Sequence, residues 1–462
     1  MTTHFDAIII GSGQAGPSLA ERLSKAGRKV AIIERENFGG TCVNNGCVPT
    51  KTMVASAYAA HLARRALEYG VEIEGAIKVD MARVMARKDA IVEKSRSGVE
   101  NWMMGLVNGE VYRGHARFTG PKTVSINGEI ISADQIFINT GGRAFVPAIP
   151  GVEKIDYLTN ASMMSVNFLP EHLVVIGGSY IGLEFAQAFR RFGSRVTVIE
   201  MADRLIARED DDVCSAVQEV LEKEGIDIRL SSKNMSFDKL GDVIQVSIED
   251  NTGAARIDCS HVLMAVGRQP NTDDLGLDKA GIATDARGFI IVDDQCRTNV
   301  EGIWAMGDVN GRGAFTHTSY NDFEIVAANL LDQDPRRISD RIACYGLFVD
   351  PPLGRVGMSE KEVRAKGIKA LLAKRMMTSI GRARERGETQ GFMKVIVDAE
   401  SKKILGAAIL GVGGDEVVHA FLDIMAAGAP YTAISRTMHI HPTVSEYLPT
   451  ILQDLKPLEA HS

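Results

Sequence analysis

The stretch "AIIIGSGQAGPSLAERLSKAGRKVAIIERE", residues 7–36, predicts a strand, a glycine turn, a helix and a second strand in that order. Gly11, Gly13 and Gly16 form a G-x-G-x-x-G pattern at the turn, and Glu34 closes the second strand. Glycines at these positions let the backbone approach a pyrophosphate at the helix N-terminus, and the acidic residue accepts hydrogen bonds from a ribose. The stretch therefore predicts a dinucleotide site at the edge of a parallel sheet.

A second copy of this pattern, "LVVIGGSYIGLEFAQAFRRFGSRVTVIEM", occupies residues 173–201. Gly177, Ser179 and Gly182 stand at its turn, and Glu200 ends its second strand. The first glycine and the acidic residue are separated by 23 positions in both copies (34 − 11 and 200 − 177). Ser179 replaces the middle glycine and crowds the approach to a pyrophosphate. Because two copies at equal spacing are far more specific than one, they predict two dinucleotide-binding domains.

The bulk composition is that of a soluble globular protein of two to four domains, with 462 residues, 45% apolar and 24% charged. The net charge of −7 argues against a broad surface for nucleic acid or an anionic membrane. The N-terminal residues lack the basic segment and long apolar run of a signal peptide, and no apolar run is long enough to span a bilayer. We therefore expect a cytoplasmic protein without nucleic-acid or membrane partners.

The remaining sequence indicates a third region. Alternating stretches after each glycine motif predict hairpins that end in a buried strand and another glycine turn. After about residue 336, stretches such as "GFMKVIVDAESKKILGAAILG" and "VHAFLDIMAAGAPYTAISR" predict an antiparallel sheet with packed helices. The fold class predicted is therefore α/β with two Rossmann-like domains, followed by a C-terminal α+β domain.

Two of the six cysteines lie close together, in "GGTCVNNGCVPTK" at residues 39–51. Cys42 and Cys47 precede a predicted helix, whose N-terminal dipole favours a thiolate, and Lys51 adds a positive charge. Placed just after the first dinucleotide motif, the pair is suited to store two electrons as a disulfide or dithiol. The alternative is two incidental core cysteines. The other four are scattered and are predicted to be packing residues: Cys214, Cys259, Cys296 and Cys344.

Six motifs, in order and spacing, carry a family resemblance across essentially the whole chain. They are "GGTCVNNGCVPTK", "INTG" (138–141), "GGSYIGLE" (177–184), "VGRQPN" (266–271), "GIWAMGDV" (302–309) and "HPTVSE" (441–446). The sequence resembles the flavin-dependent pyridine nucleotide–disulfide oxidoreductases, such as dihydrolipoyl dehydrogenase, glutathione reductase and mercuric reductase. The resemblance implies an FAD-binding domain in two segments (1–148 and 266–335), an NAD(P)-binding domain (149–265) and a dimerisation domain (336–462).

The resemblance also implies two cofactor sites. The first glycine motif would hold FAD, with Glu34 on the adenosine ribose, Asp308 on the ribityl and pyrophosphate region, and Thr140 and Gly141 lining the same site. The second motif would hold NAD(P), with Tyr180 as a gate over the nicotinamide pocket. The other residues expected to border the cofactors are Gly40, Thr41, Lys51, Ile181, Gly267 and Arg268.

The same resemblance implies the catalytic roles. Cys47 would be the thiolate against the flavin and Cys42 the interchange thiol that meets substrate. Lys51 would lie near the flavin N5, paired with Glu184. His441, oriented by Glu446, would be the acid–base group for Cys42 and would reach in from the partner subunit of a homodimer; His439 is the competing candidate. No metal site is predicted.

The choice of nicotinamide rests on Glu200. A carboxylate at this position bonds a ribose 2′-hydroxyl and repels a 2′-phosphate, which favours NADH over NADPH. Arg204, four residues further on, could partly compensate for this repulsion.

The substrate is less sharply indicated. Mercuric reductases carry a C-terminal cysteine pair, which the tail "LKPLEAHS" lacks, and they lack the His-Pro base. Yet "FINTG", "IWAMGDV" and "PPLGRVGMSE" resemble a mercuric-reductase-like branch that includes reductases protecting bacteria against reactive chlorine species. The expected substrate is therefore a small disulfide, an oxidised sulfur species or a thiophilic metal ion. The alternatives are dihydrolipoyl dehydrogenase, then glutathione reductase, and, from another class, a flavin-binding sensor without turnover.

Overall fold

The computed structural model describes residues 2–459 and begins with a seven-stranded sheet. Its strands are β1 (Thr3–Ile10), β2 (Val30–Glu34), β3 (Gly109–Arg113), β4 (Ala116–Gly120), β5 (Thr123–Ile126), β6 (Glu129–Ile138) and β17 (Ile303–Ala305). The order is β3-β2-β1-β6-β5-β4, and β17 pairs in parallel with the end of β6. Strands β1, β2, β3 and β6 run parallel, as the first glycine motif predicts. The return of β17 supports a first domain built from two separate segments, whose limits stay a prediction.

Helices cover the first sheet and link it to the rest of the chain. They are α1 (Ala15–Lys25), α2 (Gly40–Asn44), α3 (Cys47–Arg64), α4 (Met81–Met104), α7 (Leu277–Ala280) and α8 (Thr316–Ala327). The apolar faces of α1 and α8 pack on the buried β1 and β2, and α3 packs against the second domain. A two-stranded ribbon of β7 (Gly142–Ala144) and β16 (Arg268–Pro270) lies at the junction.

The second glycine motif builds a five-stranded parallel sheet in the order β11-β10-β9-β15-β8. Its strands are β8 (Tyr157–Leu158), β9 (His172–Ile176), β10 (Arg195–Ile199), β11 (Asp227–Arg229) and β15 (His261–Met264). Helices α5 (Tyr180–Phe192) and α6 (Asp211–Lys223) belong to it, and an antiparallel sheet of β12 (Lys233–Leu240), β13 (Val243–Asp250) and β14 (Gly253–Cys259) packs beside it. Every residue of β9 is buried, which is typical of a central parallel strand.

The C-terminal region is a six-stranded antiparallel sheet in the order β18-β19-β22-β21-β20-β23. Its strands are β18 (Cys344–Leu347), β19 (Leu353–Gly357), β20 (Ala370–Met376), β21 (Phe392–Asp398), β22 (Ile404–Leu410) and β23 (Lys456–Pro457). The helices are α9 (Glu360–Ala365), α10 (Gly381–Glu385), α11 (Gly414–Val417), α12 (His419–Ala426), α13 (Thr432–Ser435) and α14 (Tyr447–Ile451). The fold class is therefore confirmed: two Rossmann-like domains and a C-terminal α+β domain. None of the helices within residues 2–459 is long and apolar enough to cross a membrane.

Candidate active site

A cavity of about 1310 Å³ lies where the first domain, the second domain and the C-terminal sheet meet. Most of the residues that the sequence indicates for the site line this cavity. They are Gly11, Gly13, Glu34, Gly40, Thr41, Cys42, Cys47, Lys51, Thr140, Gly141, Tyr180, Ile181, Glu184, Arg268 and Asp308. Seven others lie outside its lining: Gly16, Gly177, Gly182, Glu200, Gly267, His441 and Glu446.

The first glycine turn is a tight cradle at the end of β1. Gly11 has a φ of +102°, and a Cβ there would lie 2.3 Å from the carbonyl oxygen of Asn139. A Cβ on Gly16 would likewise lie 2.3 Å from the carbonyl oxygen of Gly11. The side chain of Asn139 donates hydrogen bonds to the carbonyls of Gly11 (3.3 Å) and Gly13 (3.1 Å). Because only glycine fits, the turn is shaped for close backbone approach to a ligand.

Glu34 is fixed at the end of β2, beside this turn. Its Oε2 accepts hydrogen bonds from the backbone N–H (3.0 Å) and the hydroxyl (2.6 Å) of Ser12. Its Oε1 accepts from the N–H of Glu36 at 2.9 Å. The carboxylate is therefore held rigidly at the cavity edge, where a ribose diol of a dinucleotide would lie.

Asp308 and Arg268 also line the cavity. The Nε of Arg268 lies 3.5 Å from the Oδ2 of Asp308, and burial raises the pKa of this carboxyl group. Thr140 is locked to Asn271 by two hydrogen bonds of 2.9 Å. The glycine cradle, the fixed Glu34 carboxylate and the buried Asp308 carboxylate fit the adenosine, pyrophosphate and ribityl groups of FAD.

The dithiol segment packs directly on the first glycine turn. Gly40 has a φ of +60°, and a Cβ there would lie 2.8 Å from the Cα of Gly13. Cys42 lies in the short helix α2, and Cys47 is the first residue of α3. Both are free thiols and half-buried. The structure thus brings the two cysteines together next to the cradle.

The pKa values of the two thiols are shifted in opposite directions. The hydrogen bond from Cys42 lowers the pKa of Cys47 to about 6, and the Thr316 hydroxyl and the Lys51 charge act in the same direction. The interaction with Cys47, together with burial, raises the pKa of Cys42. These opposite directions favour the negative charge on Cys47 and the proton on Cys42. For Cys42 to become a nucleophile, another group has to accept that proton.

Lys51 lies one turn along α3 from Cys47 and is paired across the domain boundary. Its Nζ is 2.6 Å from the Oε2 of Glu184 on α5 and 4.4 Å from the ring centroid of Phe348. The other Glu184 oxygen accepts from the N–H of Phe348 at 3.1 Å. Glu184 is buried. The pair joins the dithiol helix to the second domain and puts a cation at the cavity wall.

Thr316, at the start of α8, is a site residue that the sequence motifs did not indicate. Its hydroxyl lies 2.9 Å from the sulfur of Cys47. A hydroxyl donor stabilises the thiolate relative to the thiol, so it lowers the pKa of the sulfur.

We expect the Thr316→Val substitution to raise the pKa of Cys47 by about one to two pH units, because a hydrogen bond to a charged group contributes about 1.5–3 kcal/mol. The thiolate forms as the pH rises through this pKa, so the pH profile of Cys47 alkylation shifts to higher pH. Mass spectrometry that resolves each cysteine measures this shift in the dithiol protein. In the control Thr52→Val, whose lost hydroxyl bonds the carbonyl of Val48, the profile stays in place. An unshifted profile in Thr316→Val would show that the hydroxyl does not stabilise the thiolate.

The second glycine turn repeats the cradle. A Cβ on Gly177 would lie 2.5 Å from the carbonyl oxygen of Ala265, and one on Gly182 would lie 2.2 Å from that of Gly177. Glu200 accepts hydrogen bonds from the N–H groups of Gly178 (2.6 Å) and Ala202 (2.8 Å). The Glu200 carboxylate thus stands at this turn as Glu34 stands at the first.

Arg204 pairs with acidic side chains of its own loop and of the start of α6. Its guanidinium bonds both oxygens of Asp203 at 2.9 Å and also pairs with Asp211. The possibility that Arg204 offsets the charge of Glu200 is therefore not supported by its contacts.

Tyr180 begins α5 and projects toward the dithiol side of the cavity. Its ring makes edge contacts with Phe315 (centroids 6.2 Å apart) and Tyr345 (5.7 Å). Phe315 and Tyr345 stack in parallel at 5.6 Å. Tyr180 is therefore seated in an aromatic cluster at the wall that it shares with Glu184.

The histidine pair forms on an exposed loop near the C-terminus. The Nδ1 of His441 is 2.8 Å from the Oε2 of Glu446, and the His441 side chain is 81% exposed. Met438 and Ile440 are also exposed. His439 contacts only the carbonyl of Thr437, at 3.1 Å, within the described residues. The geometry distinguishes the two candidates, because only His441 has a carboxylate to orient its ring.

The four scattered cysteines differ in burial. Cys214, Cys259 and Cys296 are buried, as expected of packing residues, but Cys344 is half-exposed and lines the cavity. Cys344 packs against the core of the C-terminal region and also borders the cavity, where β18 begins. Within residues 2–459, no group of three or more His, Cys, Asp and Glu side chains is placed to hold a metal ion.

Comparisons with known proteins agree with this geometry. Residues 5–322 match the family model of pyridine nucleotide-disulphide oxidoreductases, and residues 344–451 match the dimerisation domain of that family. The chain is 36% identical to RclA of Escherichia coli strain K12, a probable pyridine nucleotide-disulfide oxidoreductase, covering 96% of this chain and 98% of that protein. It is 33% identical to dihydrolipoyl dehydrogenase 2 of Haloarcula marismortui, covering 96% of this chain and 95% of that protein.

Among solved structures, a Cu(II) complex of the HOCl-induced flavoprotein disulfide reductase RclA from Escherichia coli superimposes with a TM-score of 0.89. The two chains are 35% identical, and the match covers 99% of this chain and 100% of that one. The family matches span both the cofactor-binding and the C-terminal regions. This chain belongs to the pyridine nucleotide-disulfide oxidoreductases, FAD-dependent enzymes that use NAD(P)H to act on sulfur groups and that include dihydrolipoyl dehydrogenases and mercuric reductases.

Proposed function

We propose that this enzyme uses the Cys42–Cys47 pair to deliver electrons from NAD(P)H to a small disulfide, an oxidised sulfur species or a thiophilic metal ion. The observation that carries the proposal is the placement of the pair, with Cys47 favoured as thiolate, in one cavity with the Glu34 cradle and the Lys51–Glu184 ion pair. A structural pair of core cysteines would need none of these surroundings.

The cofactor contacts follow from the cavity. Glu34, Asp308, Thr140 and Gly141 hold FAD, and the second glycine turn with Glu200 holds the nicotinamide nucleotide. Bound FAD supplies a two-electron relay between reduced nicotinamide and a disulfide. The remaining residues expected to border these cofactors are Gly40, Thr41, Ile181, Gly267 and Arg268.

Tyr180 closes the nicotinamide pocket when the nucleotide is absent. Its ring is seated against Phe315 and Tyr345 at the cavity wall, so nucleotide binding requires the ring to move. Lys51 and Glu184 line the same wall and orient the groups bound there.

Thiol–disulfide exchange at Cys42 and Cys47 would reduce a substrate disulfide. Two electrons and two protons convert the Cys42–Cys47 disulfide to the dithiol. The Cys42 thiolate attacks one sulfur of a substrate disulfide, a mixed disulfide forms, and the leaving thiolate takes a proton. The Cys47 thiolate then attacks Cys42, which restores the internal disulfide and releases the second substrate thiolate.

His441 is the base that this sequence of steps requires. Cys42 holds a proton in the single chain, and the oriented His441–Glu446 pair lies on an exposed loop of the region that matches the dimerisation domain. We assign His441 of the partner subunit to the proton of Cys42, with Glu446 holding the ring. The active site is then complete only in the homodimer.

The candidate substrates follow from thiol chemistry and from the relatives. A low-pKa thiol pair reacts with disulfides, with oxidised sulfur and with soft metal ions. The E. coli relative is described as HOCl-induced, and one of its solved structures is a Cu(II) complex. These descriptions favour a stress-related acceptor for this chain.

A panel of acceptors tests the substrate class. NADH and NADPH oxidation rates are compared with lipoamide, glutathione disulfide, hypothiocyanous acid, mercuric ion and cupric ion, each against Cys42→Ser as control. We expect a stress-related acceptor to give the highest rate, and this rate to be lost in the control. Fast lipoamide turnover would overturn the assignment of a stress-related acceptor in favour of dihydrolipoyl dehydrogenase activity, which the 33% identical archaeal relative and the His441–Glu446 pair keep as the second candidate.

Nicotinamide preference is the second part of the proposal, and we assign NADH as the favoured donor. Replacing Glu200 by arginine is expected to narrow the NADH preference by about tenfold or more, because the repelling carboxylate is exchanged for a cation that attracts a 2′-phosphate. The ratio of kcat/KM for the two donors measures the change.

The matched control for this prediction is Glu219→Gln, an exposed charge loss in the same domain, which should leave the ratio unchanged. A wild-type preference for NADPH would contradict the assignment of Glu200. If neither NADH nor NADPH reduces the protein, the result would favour a flavin-binding sensor without turnover over the enzyme proposed here.

A further inference from the structure

A buried ion pair lies behind Tyr180, outside the roles described so far. Arg355 on β19 is 2% exposed and Glu209 is fully buried. The Nε of Arg355 is 3.9 Å from the Oε2 of Glu209, too long for a hydrogen bond. Among residues 2–459, no protein group forms a hydrogen bond with that oxygen or with either terminal guanidinium nitrogen of Arg355. Buried polar groups are normally hydrogen-bonded, so this arrangement lowers the stability of the fold. We therefore looked for a role that the pair performs.

Arg355 also lies near a second buried carboxylate, that of Asp210. Asp210, next to Glu209, already has a cation of its own, since the Nζ of Lys394 lies 2.9 Å from its Oδ2. Arg355 is 3.7 Å from Asp210 at its nearest. Arg355 is therefore close to both carboxylates, and its charge acts on Glu209 across 3.9 Å. Burial raises the pKa of Glu209, and the Arg355 charge opposes this effect and favours the carboxylate.

Glu209 is connected to Tyr180 through one hydrogen bond and one ring contact. The hydroxyl of Tyr345 donates to the Oε1 of Glu209 at 2.6 Å. The Tyr345 ring then meets the Tyr180 ring edge-on at 5.7 Å. Arg355 and Tyr345 are directly opposite each other on β19 and β18, and both line the cavity. The chain of contacts therefore runs from the C-terminal sheet to the residue over the nicotinamide pocket.

We propose that Arg355, Glu209 and Tyr345 form a latch that holds Tyr180 closed over the nicotinamide pocket, with Arg355 as a positioning residue for nucleotide entry. The latch rests on the gate role given to Tyr180 in the proposed function. The charge of Arg355 keeps Glu209 an acceptor for Tyr345, and the oriented Tyr345 ring supplies the surface on which Tyr180 rests. When the gate is closed in most molecules, only the open fraction can bind the nucleotide. The apparent Kd is then the intrinsic Kd divided by that open fraction.

If the latch exists, removing the buried hydrogen bond between Tyr345 and Glu209 should increase the affinity for NADH. Tyr345→Phe keeps the ring and loses the hydrogen bond, so the gate opens more often. We expect the apparent Kd for NADH, from the rate of anaerobic flavin reduction against NADH concentration, to fall by about three- to tenfold. Acceptor reduction at saturating NADH should change by less than about twofold, since Cys42 and Cys47 are untouched.

Two further variants test the role of the charge. Arg355→Met should lower the apparent Kd as Tyr345→Phe does, and the double variant should show no additional decrease, because both act through one contact. Arg355→Lys, which keeps the cation, should restore wild-type behaviour. The control Arg375→Met, on strand β20 of the same sheet and paired with Asp454, should leave the Kd unchanged.

The outcomes separate the latch from the proposed function. If Tyr345→Phe leaves the Kd unchanged or raises it while wild type is reduced normally, the latch is wrong and the proposed function stands. If neither NADH nor NADPH reduces the wild type, the proposed function itself fails. Tyr345→Phe keeps the aromatic ring and removes only one hydroxyl group. The test therefore stands even if Arg355→Met fails to fold.

Discussion

The Cys47→Ser enzyme is expected to reduce its acceptor at least about a thousandfold more slowly than wild type, because a seryl oxygen cannot form the internal disulfide. The pKa of Cys47 is lowered to about 6, its sulfur lies 2.9 Å from the Thr316 hydroxyl, and the charge of Lys51 favours its thiolate. The rate of NADH oxidation with the best acceptor measures the loss. The long-wavelength absorbance that a thiolate gives beside a flavin should disappear with it.

The matched control is Cys259→Ala, which removes a buried sulfur remote from the cavity and should leave turnover within about twofold of wild type. FAD content is measured in both variants, because the Glu34 cradle is intact in each. Turnover above one-tenth of wild type in Cys47→Ser would show that electrons reach the acceptor by another path.

The second large effect concerns the histidine of the partner subunit. His441→Ala should slow acceptor reduction by about a hundredfold or more, because general base catalysis contributes about 10²–10⁴ and Cys42 holds its proton in the single chain. Cys42→Ser should be inactive. A heterodimer of these two variants contains one site with both groups intact and one with neither.

Co-expression with two affinity tags yields this heterodimer, and its turnover should be about half that of wild type. The two parental homodimers, purified in the same way, are the controls. A heterodimer no more active than its parents would contradict completion of the site by the partner, as would an active monomer. His439→Ala, made alongside, should retain turnover because its ring lacks a carboxylate partner among the described residues.

Much of the fold could be predicted because its decisive features are local in sequence. Each glycine turn and its acidic residue lie within one strand–helix–strand unit, so Gly11 with Glu34 and Gly177 with Glu200 are visible as a spacing. The hydrogen bonds of Glu34 to Ser12 show why the spacing matters: the carboxylate has to reach back to the turn. The antiparallel C-terminal sheet follows from alternating stretches in the same way.

The parts of the site that escaped prediction are contacts between distant segments. Thr316 is 269 residues from Cys47 and belongs to a helix of the returning segment, so no local pattern joins them. Glu209 and Tyr345 are 136 residues apart and come from different domains. Family motifs supplied the Lys51–Glu184 pair, whose members are 133 residues apart. No quoted motif covers Thr316, and the stretch "PPLGRVGMSE", which contains Arg355, indicated no role for it. Only packing of the three regions brings these groups together.

One measurement tests the central claim that electrons leave through the Cys42–Cys47 pair. FAD-loaded oxidised protein receives one equivalent of NADH without oxygen, is quenched with an alkylating reagent, and is analysed by mass spectrometry at each cysteine. We expect Cys42 and Cys47 to be converted together from an unlabelled disulfide to alkylated thiols. The alkylation of Cys214, Cys259 and Cys296 should stay unchanged. If NADH is consumed and the Cys42–Cys47 disulfide stays intact, the account is contradicted.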